Sequence, residues 1–379
     1  MANDKDFIVK NGVEVGKNLD INSGTVSSGA VDLSTGNFFA DTTSSDTTYS
    51  FTNPSDVQAF QLEVTNGAQG LATITAMEYS DKSFFTGGST CRDLAFNDDG
   101  TKLIWSRISG GRINTSTLST AYDVSTAGSG TETVFSDFSY GAGITFKPDG
   151  TKFYVNSQLD DKIYEYDLST AFDVSTAGTA TSTSRSTAHD YGVVFKPDGL
   201  VMWLLSAGSS VQKYTLSTAW DTSTISASGS AISFSTYDGT ADSNISHMAF
   251  NYDGTLLVTN GFSGDVYSFY ALSTAYDITT ISKLGTSSVA TEDGTMRGVF
   301  IRPTAPYSVY GIGQVNSTVY QYTPTYTENS WSLTWPASVD WNGGSTPSDP
   351  DATKTGVFSF ITPDGGTTYY GYASGENLS

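Results

Sequence analysis

His189 and His247 are the only histidines in this 379-residue chain, and Cys91 is its only cysteine. A histidine-rich metal cluster and an intrachain disulfide are therefore both excluded. No Gly-x-Ser-x-Gly elbow occurs in a strand-to-helix setting, which leaves a Ser/His/Asp triad without its usual frame. Glycoside hydrolysis needs two carboxylates flanking the bond. Acids could converge from five similar segments: RDLAFN from Arg92, GITFKP from Gly143, GVVFKP from Gly192, SHMAFN from Ser246 and RGVFIRP from Arg297. Asp93 is their one carboxylate ahead of the turn, and a lone acid cannot act as both acid and base. Asp98, Asp99, Asp149, Asp198 and Asp253 fall in the turns themselves. Asp160–Asp161 and the SDPD run at Ser348–Asp351 could attract calcium, but their spacing fits no EF-hand loop and solvated surface is expected. Both histidines are expected in loops or at strand starts with ordinary hydrogen bonds. The sequence thus assigns no catalytic residue, metal ligand or cofactor, identifies no binding residue, and points away from an enzyme.

The elements that carry these segments are repeats. AFNDDGTKLIW from Ala95, TFKPDGTKFYV from Thr145, VFKPDGLVMWL from Val194 and AFNYDGTLLVT from Ala249 are copies of one phrase, with a degenerate copy from Val299. Phe96, Phe146, Phe195, Phe250 and Phe300 anchor them at spacings of 50, 49, 55 and 50 residues. Such periods signal an array of supersecondary units. Within a unit, apolar residues alternate with period two, as at Ile144 and Phe146, and Pro148–Gly150 forms a tight turn. Further strands follow, including one near Thr133–Ser139, so each unit holds four. That pattern predicts an all-β chain with a five-bladed β-propeller. Ala72–Ser80 is expected to supply the outer strand missing after Tyr322, sewing the last blade to the chain's earlier segment.

A second phrase, LSTA-aromatic-Asp, recurs four times. Leu118, Leu168, Leu216 and Leu272 should face the core, and Tyr122, Phe172, Trp220 and Tyr276 should pack between blades. Asp123, Asp173, Asp221 and Asp277 should accept backbone hydrogen bonds in their turns. A ligand site repeated in each blade is the alternative for this phrase.

The formal net charge of −21 argues against binding nucleic acid, since phosphate neutralisation needs a basic surface. No apolar run reaches membrane-spanning length, so membrane insertion is not expected. The start MANDKDFIVKNG has no apolar core of a secretion signal. Together with the lone cysteine this fits assembly in a reducing cytoplasm.

Alternation also marks the flanks. Phe60, Leu62 and Val64 share one face; Trp331, Leu333 and Trp335 share another; Phe358 and Phe360, then Tyr370 and Tyr372, extend the pattern. Neither flank has strands enough to bury its apolar face alone. The expected organisation is a β-sandwich in two halves, 30–69 and 328–379, interrupted by the propeller at 70–327 and preceded by an extended β attachment arm at 1–29. In the arm, FIVKNGVEV carries a hairpin signal at Asn11–Gly12.

The run LTWPASVDWNGGSTP followed by TGVFSFITPDGGTTYYGYASG resembles a C-terminal module of bacteriophage tail fibres and other virion structural proteins. LSTGNFFADTTSSDTTYSFTNP resembles that module's first half, and DFIVKNGVEVGKNLDI resembles the N-terminal arms of marine phage, cyanophage-like, structural proteins. The KPDGTKFYV phrase is similar to the repeat of lactonase-like propellers. The resemblance implies a virion component: a tail fibre or receptor-binding appendage, or a capsid-surface decoration protein. It also implies attachment to other virion proteins through the arm, a host-surface glycan or protein as target, and a homo-oligomer, with a trimer as the expected state. A lectin-like carbohydrate-binding propeller and a lactonase-like or glycosidase enzyme are the readings from other classes.

Overall fold

The computed structural model describes residues 7–9, 13–15 and 23–378, apart from 44, 67–70, 89, 186–189, 207–209, 235–243, 262, 305, 329–331 and 352–353. It is all-β, relieved by four single-turn 3-10 segments among the described residues. The chain divides into two compact units, one formed by Met1–Gly70 with Glu328–Ser379 and the other by Leu71–Thr327.

In the first unit the two flanks share one sheet. Gln58–Asn66 pairs antiparallel with Thr355–Thr362 along its length, from Thr65 opposite Thr355 to Gln58 opposite Thr362. Phe38–Thr43 extends this sheet on one side, and Tyr369–Leu378 and Val339–Trp341 extend it on the other. Phe60, Leu62 and Val64 are buried against Phe358 and Phe360, and Phe60 stacks on Phe360 at 5.0 Å. Phe51 meets Phe60, Phe360 and Tyr369 edge-on, each at 4.9 Å, a geometry that aromatic quadrupoles favour. Trp335 stacks on Tyr49 from a short segment that runs parallel to Thr47–Thr48. One expectation shifts by a residue: Tyr369 points inward and Tyr370 and Tyr372 point out. The Thr362–Tyr369 turn sets that register, pairing Tyr370 with Ile361, which is also exposed. Trp331 lies outside the described residues. Phe7–Val9 and Val13–Val15 pair as an antiparallel two-stranded ribbon, and the expected hairpin signal at Asn11–Gly12 lies outside the described residues.

The second unit holds, among its described residues, five antiparallel sheets in sequence order. Their first strands are Cys91–Phe96, Gly141–Phe146, Val193–Phe195, Ile245–Phe250 and Met296–Ile301. Each first strand packs beside those of the neighbouring sheets, and the fifth returns to the first, so the set closes. Leu71–Phe85 is the outermost strand of the fifth sheet, beside Thr318–Glu328. Hydroxyl pairs such as Thr73 with Thr327 and Ser80 with Thr323 line that junction. In the first sheet the fourth strand is Thr131–Val134, short of the expected Thr133–Ser139, because Phe135 and Phe138 leave the ladder to fill the space beside the second sheet.

The two repeated phrases lock to each other within a sheet. Tyr122, Phe172, Trp220 and Tyr276 all adopt positive φ, between 54° and 64°, a conformation costly for bulky residues. Each donates its backbone N–H to the carbonyl of the turn glycine, Gly100, Gly150, Gly199 or Gly254, at 2.8 to 3.0 Å. Each ring lies across that glycine so closely that a Cβ there would sit 2.2 to 2.3 Å from it. The rings pack within their own sheet against Phe96, Phe146, Phe195 and Phe250, and Tyr122 and Trp220 also meet Phe300 and Tyr154 of the neighbouring sheet, as expected of rings between blades. Neighbours join through the backbone: Tyr154 donates its hydroxyl to the Trp220 carbonyl and Tyr310 to that of Tyr122, both at 2.7 Å. Asp123, Asp173, Asp221 and Asp277 each accept the N–H two residues on and cap a 3-10 turn.

Candidate functional site

The five first strands surround a cavity of about 450 Å³. Its wall, mouth and floor correspond to three positions of the repeat. Strand register identifies these positions, and it replaces Phe300 by Ile301 as the fifth anchor. Ile301 faces Val309, which faces Tyr322, just as Phe146 faces Phe153 and Phe153 faces Tyr166.

The wall comes from the residue before each anchor: Ala95, Thr145, Val194, Ala249 and Phe300, all of which line the cavity. Four small or β-branched residues leave room, and the degenerate fifth repeat inserts a phenyl ring. The mouth comes from the residue two after each anchor: Asp98, Pro148, Pro197, Tyr252 and Pro303. Tyr252 is 73% exposed there. Proline fits because these residues open turns whose φ it presets.

The floor comes from the residue three before each anchor: Asp93, Gly143, Gly192, His247 and Gly298. The glycines let adjacent strands approach: a Cβ on Gly143 would sit 2.7 Å from the Tyr191 carbonyl oxygen, and one on Gly298 2.9 Å from Leu94. Asp93 and His247 fill the centre, with Nε2 of His247 3.7 Å from Oδ2 of Asp93. His247 donates from Nε2 to the Ala142 carbonyl at 2.9 Å and places Nδ1 3.0 Å from the Ser246 hydroxyl. Asp93 accepts the N–H of Ile144 at 2.8 Å and of Leu94 at 2.9 Å. Burial pushes the Asp93 carboxyl well above the usual range, against the pull of those two amide bonds. Burial likewise pushes His247 down to about 3, so its imidazole is neutral at physiological pH. Beside this floor, Arg92 and Arg297 are buried, and Arg297 is lowered to about 10 by burial and then by the Arg92 charge. Arg92 donates to the Tyr140 hydroxyl at 2.6 Å and Arg297 to Gln314 at 2.8 Å.

Of the acids singled out in sequence, Asp93 alone reaches the floor. Asp98 stands at the mouth, while Asp99, Asp149, Asp198 and Asp253 each accept a turn N–H two residues on at 2.9 Å. His247 is in mid-strand and buried rather than in a loop, and His189 lies outside the described residues. Asp160 accepts the Ser157 hydroxyl and Asp161 faces Arg185. Asp349 and Asp351 hold the Leu333 amide and the Asn377 side chain, respectively. Cys91 is buried beside the Thr86 hydroxyl, and burial raises its thiol. The missed residues are those of the wall. Their signal was positional: smallness just before the anchor in four repeats of five.

No family model matches this chain, and no curated protein matches it. Among solved structures, it is similar to a Bacteroides uniformis protein assigned provisionally as a 6-phosphogluconolactonase, at 15% identity and TM-score 0.38 over 62% of this chain and 68% of that one. A β-propeller domain from Myceliophteria thermophila matches at 8% identity and TM-score 0.38, over 66% of this chain and all of that one. A functionally unknown Desulfotomaculum acetoxidans protein matches at 10% identity and TM-score 0.37, over 77% and 88% of the two chains. At these scores the likeness bears on neither activity nor substrate.

Proposed function

We propose that the chain is a non-enzymatic component of a bacteriophage virion, a tail fibre or receptor-binding appendage. In it a β-sandwich carries a five-bladed propeller as the part that meets the host surface. The observation that carries this reading is the pairing of Gln58–Asn66 with Thr355–Thr362. The two flanks that resemble halves of a virion module join in one sheet despite the 257 residues of the unit between them, Leu71–Thr327. The closed set of five sheets supports the blade count. Against catalysis, the floor's two titratable groups already bond to neighbouring protein groups, and the other carboxylate lining the cavity, Asp98, stands at the mouth rather than on the floor.

In this reading the arm attaches the chain to other virion proteins or to sister copies, since a two-stranded ribbon is not stable alone in water. Deleting residues 1–28 should leave a folded protein that no longer incorporates into particles or loses its oligomeric state. Light scattering and particle incorporation measure this. A full-length chain that is monomeric and absent from purified virions would overturn the assignment.

A further inference from the structure

We propose that the central cavity of the five-sheet unit is a binding site for a neutral, mainly apolar ring compound of small-molecule size. This goes beyond the virion reading and stands or falls separately from it.

The argument begins with shape. The cavity's volume of about 450 Å³ lies within the range of small-molecule sites and exceeds any single side chain. Among the described residues, Asp93, His247 and the close-packed glycine strands fill one end, which leaves the mouth ringed by Asp98, Pro148, Pro197, Tyr252 and Pro303 as the way in.

Chemistry then narrows the class. The walls are Ala95, Val194, Ala249, Met248 and Phe300, with Thr145 the polar exception. Apart from Asp98 and Tyr252 at the mouth, the other polar side chains along the cavity are engaged. Asn97 takes the Lys102 N–H at 2.8 Å and donates to Asp99 at 2.8 Å, Lys147 pairs with Asp149 at 2.7 Å, and both Asp93 oxygens hold amides. Below the mouth a monosaccharide, whose hydroxyls each need a partner, would lose hydration without replacement. An anion would have to pass Asp98 at the mouth of a chain with net charge −21. A cation would meet no free carboxylate deeper than the mouth. What gains by entry is apolar surface, with at most one polar group left at the rim.

The full chain should bind the neutral fluorophore N-phenyl-1-naphthylamine saturably at one equivalent, and excess methyl α-glucoside should not displace it. The filling variants Ala249→Trp and Ala95→Phe should each weaken binding about tenfold or more, since each removes volume the ring would occupy. Photolabelling the unmodified chain with 3-trifluoromethyl-3-phenyldiazirine needs no variant. Adducts should concentrate in segments 94–98, 145–148, 193–197, 248–252 and 299–303. Absence of saturable binding, displacement by the glucoside, unchanged affinity in a folded filling variant, or adducts confined to other segments would each overturn the proposal.

Discussion

Replacing Gly150 by alanine tests the lock between the two repeated phrases, because two penalties act there and can be separated. Gly150 has φ of 71°, and alanine in that region costs about 1–2 kcal/mol. Its Cβ would also lie 2.2 Å from the Phe172 ring, which has Phe146 behind it and cannot retreat freely. Forced repacking of this kind adds roughly 1–3 kcal/mol, so the total should be about 2–5 kcal/mol. Gly229 provides the control: it has the same φ of 71° with no atom within 4 Å of a built Cβ. Gly229→Ala should therefore show the backbone penalty alone, about 1–2 kcal/mol. Urea unfolding of both variants, read as midpoint times slope, gives the comparison. Combining Gly150→Ala with Phe172→Ala should cost less than the sum, since the truncated side chain no longer opposes the methyl group. Equal destabilisation by the two alanines, or additivity in the double variant, would refute the lock.

Three further outcomes are expected. Trp220→Ala removes a buried ring packed on Phe195 and should destabilise by about 3–5 kcal/mol in the same assay. Glu165→Ala strips the acceptor shared by the Thr222 amide, the Thr222 hydroxyl and Lys152. Leaving those donors buried should cost about 1–3 kcal/mol, with Glu165→Gln milder. For pH, the folded pKa of His247 is near 3 and its unfolded value near 6.5, so the unfolded chain binds the extra proton between them. Stability from this group is full above about 6.5 and falls toward pH 3, by up to about 1.4 kcal/mol per pH unit. Asp93, raised by burial, acts with the opposite sign above its ordinary value. His247→Gln should flatten the fall between pH 6.5 and 4 in unfolding measurements; an unchanged slope would count against a buried neutral imidazole.

Strand order in the ring unit was legible because period-two alternation and the Asp-Gly turns recur at near-constant spacing. The closing strand could be deduced by counting outer strands, which left Leu71–Phe85 to complete the fifth sheet. Two local errors have physical causes. Phe300 matched the anchors by residue type, but type does not set register, and the pairing of Ile301 with Val309 does. Tyr370 and Tyr372 alternate as an inward pair would, yet a turn can shift alternation by one residue, and Tyr369 and Gly371 take the inner positions. Asp93 was legible as the unusual acid, whereas its partner was not. His247 shares the repeat position of Asp93, and only closure of the ring brings it across to Ala142 and Asp93.

That closure bears on where function resides. A search by chemistry-bearing residue types leads to Asp93, His247, Arg92 and the turn aspartates, and the fold uses them to cap turns and plug its centre. The floor position combines two polar residues with three glycines, and that mixture is what five strands converging on one axis require: side chains to fill the middle and none where backbones touch. The space this leaves is bounded by alanine, valine, threonine and phenylalanine, residues that a motif search passes over. Plugging one end with Asp93 and His247 is also what makes the other end a pocket, because an open channel would stay wet along its length. The recognition chemistry of this unit therefore lies in the size of the residue preceding each anchor, and exchanging Phe300 for alanine should enlarge the cavity and shift its preference toward bulkier rings. Affinity ranking of naphthyl, anthracenyl and pyrenyl probes on the folded variant measures that shift, and an unchanged ranking would show that the wall position does not set selectivity.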